Sequence, residues 1–206
     1  MDMERKEEII QATFMLASKN GIDNVSMSQI ATQLGIKEPS LYNHFRSKDE
    51  IVKAMYDYLR TQAKEKLKIT DLDYGKLVKD KSLEEVLKLT VQNYYRMSTQ
   101  NDMLSFYKII YSTRATNVVA AQIMCEETEK MLLATKNLFY ALQVHQKIFV
   151  KDIDQAAISF TMTIHFLIDY QLDRKSAGNK FNEDILDNYI CWFSKEFGGK
   201  DEKNID

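Results

Sequence analysis

Six polar or charged side chains lie within eight consecutive residues, at a spacing that places most of them on one face of a short helix. Leu41 and Phe45 would point inward, at positions i and i+4 of a helix from Glu38 to Phe45. The outward face then carries Lys37, Glu38, Ser40, Asn43 and His44, with Tyr42 at its edge. Most of these groups are short hydrogen-bonding groups, which can reach the edges of nucleic-acid bases or phosphate oxygens.

A second short helix precedes this one, and a tight turn separates the two. Ser26 and Gln29 have the spacing of a capping box, which predicts the start of a helix at Met27. The apolar spacing extends this helix to Leu34, Gly35 breaks it, and the apolar Ile36 can fill the space between two crossing helices. Short helices joined in this way predict a helix-turn-helix, whose second helix enters the major groove of DNA. A helical core without any role in DNA binding is the alternative interpretation.

This segment resembles the TetR family of bacterial transcriptional repressors. The resemblance covers about residues 6 to 55, and downstream of about residue 60 only the layout of the helices is compatible with the family. It rests on Gly21, Ser26, Ile30, Ala31, Gly35, the run from Leu41 to Phe45, and Lys48.

The resemblance implies a contact for each matching position. Tyr42 would contact a phosphate through its hydroxyl group, and Lys48 would meet another phosphate at the start of the fourth helix, where the helix dipole also favours an anion. The remaining contacts are base reading by Lys37, Glu38, Ser40 and Asn43, backbone contact by His44, and backbone or base-edge contact by Ser26 and Ser28.

Two of these positions depart from the pattern of the family, and the positive charge of the chain is local. Glu38 can accept a hydrogen bond from the cytosine amino group but is repelled by phosphate, and Ser28 stands where the family often has a long basic residue. The whole chain has a net charge of −2, whereas residues 35–48 contain three basic residues and one acidic residue. Since the positive charge is local, we expect operator binding with a shallow salt dependence.

Helix-breaking residues are scarce. The chain has one proline and six glycines, where average usage would give about ten and about fourteen. This scarcity predicts an all-α protein, for which the sequence indicates about nine helices. The one proline, Pro39, lies in the first turn of the predicted third helix, where a missing N–H is harmless. The predicted helices span about 3–20, 27–34, 38–45, 48–67, 83–98, 102–112, 117–144, 152–172 and 183–197, with a loop or a broken connection at 70–81 that contains Gly75.

The sequence divides into two predicted domains. Residues 1–47 are expected to form the helix-turn-helix DNA-binding domain, and residues 48–206 a helical effector-binding and dimerisation domain. The helices near 152–172 and 183–197 are apolar on several sides, so they must be buried. The resemblance implies that they pair with a second copy of the chain, which would place two recognition helices in successive major grooves. An ordinary monomer core is the alternative.

Aromatic residues and methionines are frequent in the predicted fifth to eighth helices. In the family, this region encloses a ligand cavity, and methionines adapt to varied apolar ligands. We therefore expect a largely apolar small-molecule effector in a pocket near Tyr94, Phe106, Tyr107, Tyr111 and His165. For any one of these side chains, simple core packing is the alternative.

Signals for catalysis are absent from the sequence. The three histidines have no metal-ligand spacing with each other or with the two cysteines, and no phosphate-binding glycine loop or nucleophile elbow is present. We therefore expect no enzymatic activity, no cofactor and no metal. Glu126, Glu127 and Glu129 are predicted to lie on a solvated helix face. No apolar stretch reaches about 18 residues, so we expect no membrane contact and a cytoplasmic location.

Together these features predict a homodimeric, ligand-responsive repressor that binds a palindromic DNA operator. Two alternatives remain open. The first is a helix-turn-helix DNA-binding protein that has no small ligand, and the second is a helical-bundle enzyme with an incidental N-terminal motif.

Overall fold

The computed structural model describes residues 2–67, 73–180 and 184–199. Within these ranges the chain forms ten α-helices, one 3-10 helix at Ile22–Asn24 and no β-strand. The α-helices are α1 Asp2–Asn20, α2 Met27–Gln33, α3 Glu38–Tyr42, α4 Lys48–Lys66, α5 Tyr74–Lys79, α6 Leu83–Ser98, α7 Asn101–Thr113, α8 Val118–Val144, α9 Ile153–Ser176 and α10 Asp184–Phe197. The predicted all-α class is confirmed. None of these helices is long and apolar enough to cross a membrane.

Helix α5 lies where the sequence predicted a loop, so that prediction is wrong over residues 74–79. Asp73 caps the helix, since its side chain accepts a hydrogen bond from the Lys76 backbone N–H at 3.2 Å. Val78 is buried, and Gly75, expected at a break, lies in the first turn. Six residues are too few to produce a recognisable helical period. Residues 70–72 of the predicted loop lie outside the described residues.

The described residues fall into two compact units, and α6 and α8 contribute to both. The first unit comprises residues 2–67 and 96–127, and the second comprises residues 73–95, 128–180 and 184–199. The helix-turn-helix therefore shares its unit with α4, α7 and the beginning of α8. The domain division at residue 47, as predicted from the sequence, stays a prediction.

The first unit has an aliphatic core around the helix-turn-helix. Helix α1 packs against α2, α4 and α7, and α2 packs against α3. Its fully buried side chains include Ile9, Ile30, Leu41, Ile51 and Met55. This burial fixes the short α2 and α3, which would be marginal as isolated helices.

The second unit has an aromatic centre. The ring centroids of Phe160 and Phe193 are 4.9 Å apart, and Phe139 lies 5.5 Å from Phe160 and 5.8 Å from Phe193. All three rings are buried among aliphatic side chains of α6, α8, α9 and α10. Such tilted aromatic pairs add to the stabilisation that burial provides.

Candidate nucleic-acid interface

The start of α2 has the capping arrangement that the sequence predicts. The Ser26 hydroxyl accepts a hydrogen bond from the Gln29 backbone N–H at 3.2 Å, and the Gln29 side chain accepts one from the Ser26 N–H at 2.8 Å. This capping box is therefore confirmed. Ser26 and Ser28 are both exposed, so their hydroxyl groups lie at the surface near the N-terminus of α2.

The turn between α2 and α3 is a Schellman motif. Gly35 has φ +66°, a left-handed conformation that glycine adopts without steric strain. The Gly35 N–H donates to Thr32 O at 3.1 Å, and the Ile36 N–H donates to Ala31 O at 3.0 Å. These two bonds satisfy the last carbonyl groups of α2. Ile36 is half-buried in the turn, which is the position predicted for it.

Helix α3 begins as predicted but ends earlier. Pro39 lies in its first turn, where φ near −65° suits the helix. The α-helical span ends at Tyr42, and a further turn follows in which the Phe45 N–H donates to Leu41 O at 3.0 Å. Leu41 and Phe45 are both buried, so the predicted inward face is correct even though the helix is shorter than the expected eight residues.

The outward face of α3 is accessible. Lys37, Ser40, Tyr42 and Asn43 are exposed, while Glu38 and His44 are half-buried. We define the reading surface as these six side chains. The structure therefore brings the predicted base-reading residues together on one exposed surface of the first unit. Their contacts with DNA stay predictions.

Two members of the reading surface contact each other. The Tyr42 hydroxyl donates to Glu38 Oε1 at 3.3 Å. Desolvation and the negative charge of Glu38 raise the pKa of Tyr42, so its hydroxyl group is protonated near neutral pH and can donate to an acceptor. A phosphate oxygen would have to compete with Glu38 for this donor. The spacing of four residues on a helix is the sequence signal for the contact.

Lys48 makes a contact that the sequence did not predict. Its Nζ donates to the carbonyl oxygen of Ile22 at 2.8 Å, and it lies 3.5 Å from the carbonyl oxygen of Asp23. The first residue of α4 is thereby bound to the 3-10 helix. Since an ammonium group has three donors, this contact is compatible with the predicted phosphate contact. The partners are 26 and 25 residues away in sequence, so no local pattern indicates them.

The five residues of the predicted effector pocket belong to different units. Phe106, Tyr107 and Tyr111 lie in the first unit, and Tyr94 and His165 lie in the second. In the first unit, the Phe106 and Tyr107 rings are 6.2 Å apart, and the Arg114 guanidinium lies over the Tyr111 ring at 4.5 Å. In the second unit, Tyr94 packs against the hydrophobic core, and His165 Nε2 is 3.6 Å from an Asp169 carboxylate oxygen. The pocket itself stays a prediction.

The prediction of a solvated helix face is wrong for one glutamate. Glu127, predicted on a solvated face, is only 1% exposed. Its Oε2 accepts hydrogen bonds from the Tyr56 hydroxyl and the Arg60 guanidinium of α4. Burial and the Glu127 charge raise the pKa of Tyr56. Burial alone would lower the pKa of Arg60, but Glu127 reverses this effect. The partners are 71 and 67 residues distant, which explains the error.

The second unit exposes a line of large apolar side chains on α9. Met162, Phe166 and Tyr170 recur every four residues, and we call them the α9 stripe. All three are exposed, and 69% of the Phe166 surface is accessible. The opposite face of α9 is buried through Phe160, Ile164, Ile168 and other residues. A helix that is apolar on both faces needs a covering surface on each side.

The described residues offer no alternative site for a metal. Across residues 2–67, 73–180 and 184–199, no group of three or more His, Cys, Asp or Glu side chains is arranged to hold an ion. The two cysteines are free.

Comparison with known proteins places the similarity mainly in the first unit. The family model described as bacterial regulatory proteins, tetR family, matches residues 9–55. An HTH-type transcriptional repressor of Mycobacterium tuberculosis is 43% identical over 51 residues, which cover 25% of this chain and 20% of that protein. The chain spans about a fifth to three tenths of the length of the curated relatives it matches.

Solved structures match over almost the whole chain. A putative TetR-family transcriptional regulator from Mesorhizobium loti has a TM-score of 0.71 and 19% identity, and the match covers 97% of this chain and 99% of that one. The flavonoid-responsive regulator FrrA has a TM-score of 0.72 and 18% identity, with 96% and 99% covered. These similarities show a shared fold.

Proposed function

We propose that this chain, whose residues 9–55 match the family model of bacterial regulatory proteins, tetR family, is a homodimeric, ligand-responsive transcriptional repressor in the cytoplasm. The dimer binds a palindromic operator through two copies of the reading surface and blocks transcription. A small, largely apolar effector then changes the separation of the two reading surfaces and releases the DNA. The family consists of transcriptional regulators and not of enzymes.

The observation that carries this proposal is the reading surface itself. Its side chains are exposed or half-buried on α3 and the residues that flank it, while Leu41 and Phe45 beneath them are buried. A rigid helix that presents short polar groups is what direct reading of the major groove requires. The capping box at Ser26 defines the start of α2, and the turn at Gly35 joins α2 to α3.

The α9 stripe supports the proposed dimer. Phe166 and its neighbours on α9, together with the exposed Trp192 on α10, form apolar surface that a second copy of the chain would cover. A two-fold axis lets the same patch serve both partners. These residues lie within the two helices, near 152–172 and 183–197, that the sequence predicts as the dimer interface.

The effector is the least constrained part of the proposal. FrrA, a structural neighbour, carries the description flavonoid-responsive, and the shared fold supports a comparable response in this chain. Tyr94, Phe106, Tyr107, Tyr111 and His165 are the proposed lining, with tyrosine hydroxyl groups as polar anchors. A crystal structure of protein purified from its native host would test this pocket, because a bound ligand lined by none of these residues would contradict it.

Operator selection followed by footprinting tests the DNA-binding function. The purified protein is mixed with a pool of random duplexes, and bound sequences are recovered and footprinted at moderate salt. We expect a palindromic site with two protected half-sites about one helical turn apart. Recovery of no preferred sequence would contradict the proposal and favour the interpretation as a helical protein without sequence-specific DNA binding.

Replacing Tyr42 with Phe should weaken operator binding uniformly. The variant loses a hydroxyl donor to phosphate, and we expect affinity to fall about fivefold for every operator sequence. Fluorescence anisotropy with a labelled operator measures the effect. Tyr58→Phe is the matched control, because the Tyr58 hydroxyl accepts a hydrogen bond from Gln11, outside the reading surface. Equal affinities for the Tyr42 variant and the unmodified protein would exclude the phosphate contact.

Replacing Glu38 with Gln should alter sequence preference at a single base pair. A carboxylate accepts from the cytosine amino group, whereas an amide can also pair with adenine. We expect discrimination at one operator position to change by about tenfold. Competition between operators that differ at one base pair measures this change. Glu65→Gln removes the same charge from α4, outside the reading surface, and should leave preference intact. Unchanged preference in the Glu38 variant would rule out base reading.

A further inference from the structure

Glu127 joins α8 to two successive turns of α4. Its Oε2 accepts from Tyr56 and from Arg60, which are four residues apart and therefore lie on the same face of α4. The carboxylate is 1% exposed and the Arg60 side chain 19% exposed. A single carboxylate oxygen thus binds two side chains that lie about one turn apart on α4. This arrangement restricts the rotation of α4 about its axis and its movement along that axis.

Two further polar contacts join the beginning of α8 to the 3-10 helix and to α4. Asn117 Nδ2 donates to Asp23 Oδ1 at 3.1 Å, while Asn117 Oδ1 accepts from the Ala120 N–H at 3.0 Å and so caps α8. Lys53 Nζ lies 3.2 Å from Glu126 Oε1. Both contacts are exposed, and exposed pairs contribute little. Glu127 is therefore the buried member of this series.

The hydrogen bonds of Glu127 lie among apolar side chains. The Tyr56 ring packs against Phe106 with centroids 6.1 Å apart, and Met103, Ile110 and Ile123 are buried in the same unit. Burial of apolar side chains is non-directional, whereas a buried charge must keep its partners. The directional bonds of Glu127 therefore define one position of α4 among the several that apolar packing would tolerate.

We propose that Glu127 is the positioning residue that holds α4, and with it the reading surface, in the arrangement that binds the operator. This inference rests on the proposed function. Helix α4 packs against α1, and Lys48 at its first turn is bound to the 3-10 helix that precedes α2. A change in the position of α4 is therefore transmitted to α2 and α3. Glu127 acts through Tyr56 and Arg60 and does not contact DNA.

The decisive comparison is between Glu127→Gln and Glu126→Gln. Both variants remove one negative charge from the same turn of α8, but only the first alters the buried contact. We expect Glu127→Gln to weaken operator binding about tenfold and Glu126→Gln to change it by less than about twofold. Operators with one base pair added or removed between the half-sites provide the second measurement. Glu127→Gln should reduce the preference for the natural spacing, because the reading surfaces are no longer held at one separation.

The outcomes separate positioning from stability. If Glu127→Gln lowers affinity equally for every spacing, or leaves affinity unchanged while lowering the melting temperature, the inference is wrong. If that variant fails to fold, Tyr56→Phe, which removes only the hydroxyl group, should show the same loss of spacing preference. An unaltered preference in Tyr56→Phe would then overturn the inference. Absence of sequence-specific binding by the unmodified protein would contradict the proposed function itself, a result distinct from both.

Discussion

Phe166→Glu is expected to convert the dimer into monomers and to weaken operator binding at least about a hundredfold. Phe166 is the most exposed member of the α9 stripe. The substitution would place one glutamate from each copy in the proposed interface, where burial of an unpaired charge is strongly unfavourable. A monomer binds one half-site only and loses the contribution of the second. Light scattering coupled to gel filtration measures the mass, and an operator titration measures the affinity.

Leu133→Glu provides the control for this experiment. Leu133 is an exposed apolar residue in the middle of α8, outside the two helices of the proposed interface. The same charge is therefore introduced at a surface position that we expect to remain solvated. This variant should stay dimeric and keep its operator affinity. A Phe166→Glu protein that still elutes as a dimer would show that the α9 stripe is not the interface.

Phe139→Ala is expected to lower the free energy of unfolding by about 3–5 kcal/mol. The Phe139 ring is fully buried and contacts both Phe160 and Phe193. Its removal eliminates the transfer free energy of the ring and leaves a cavity that the surrounding aromatic side chains can fill only in part. Urea unfolding followed by circular dichroism measures the change.

Phe149→Ala is the matched substitution at the surface. Phe149 is exposed, so the same truncation should change the free energy of unfolding by less than about 0.5 kcal/mol. Similar losses in both variants would mean that burial does not decide the effect, and the aromatic centre would then not be the core of the second unit. The comparison needs no assumption about DNA binding, and both variants are measured at the same protomer concentration.

The features that could be predicted from the sequence depend on near neighbours in the chain. The capping box at Ser26, the turn at Gly35 and the position of Pro39 each depend on contacts between residues at most five apart. Such contacts leave a recognisable pattern of residue types. The reading surface could be predicted for the same reason, since the apolar spacing of Leu41 and Phe45 defines which face remains outward.

The features that could not be predicted depend on residues far apart in sequence or on very short elements. Glu127 has neighbours typical of a solvated helix face, and only its exposed fraction and its contacts with α4 reveal that it is buried. Lys48 has the residue type and position of a phosphate contact, yet its Nζ also binds a backbone carbonyl group. Helix α5 has too few residues for a period and depends on the buried Val78.

The aromatic centre of the second unit extends to its surface through Trp192. Its ring lies 5.8 Å from Tyr189 and 6.2 Å from Phe197, and about half of it, 51%, is exposed. The chain contains no other tryptophan. Intrinsic emission excited at long wavelength therefore reports on this one face of α10, without any label. Covering the ring with a second copy would remove water from it and shift its emission to shorter wavelength, so the native chain carries its own optical probe of assembly.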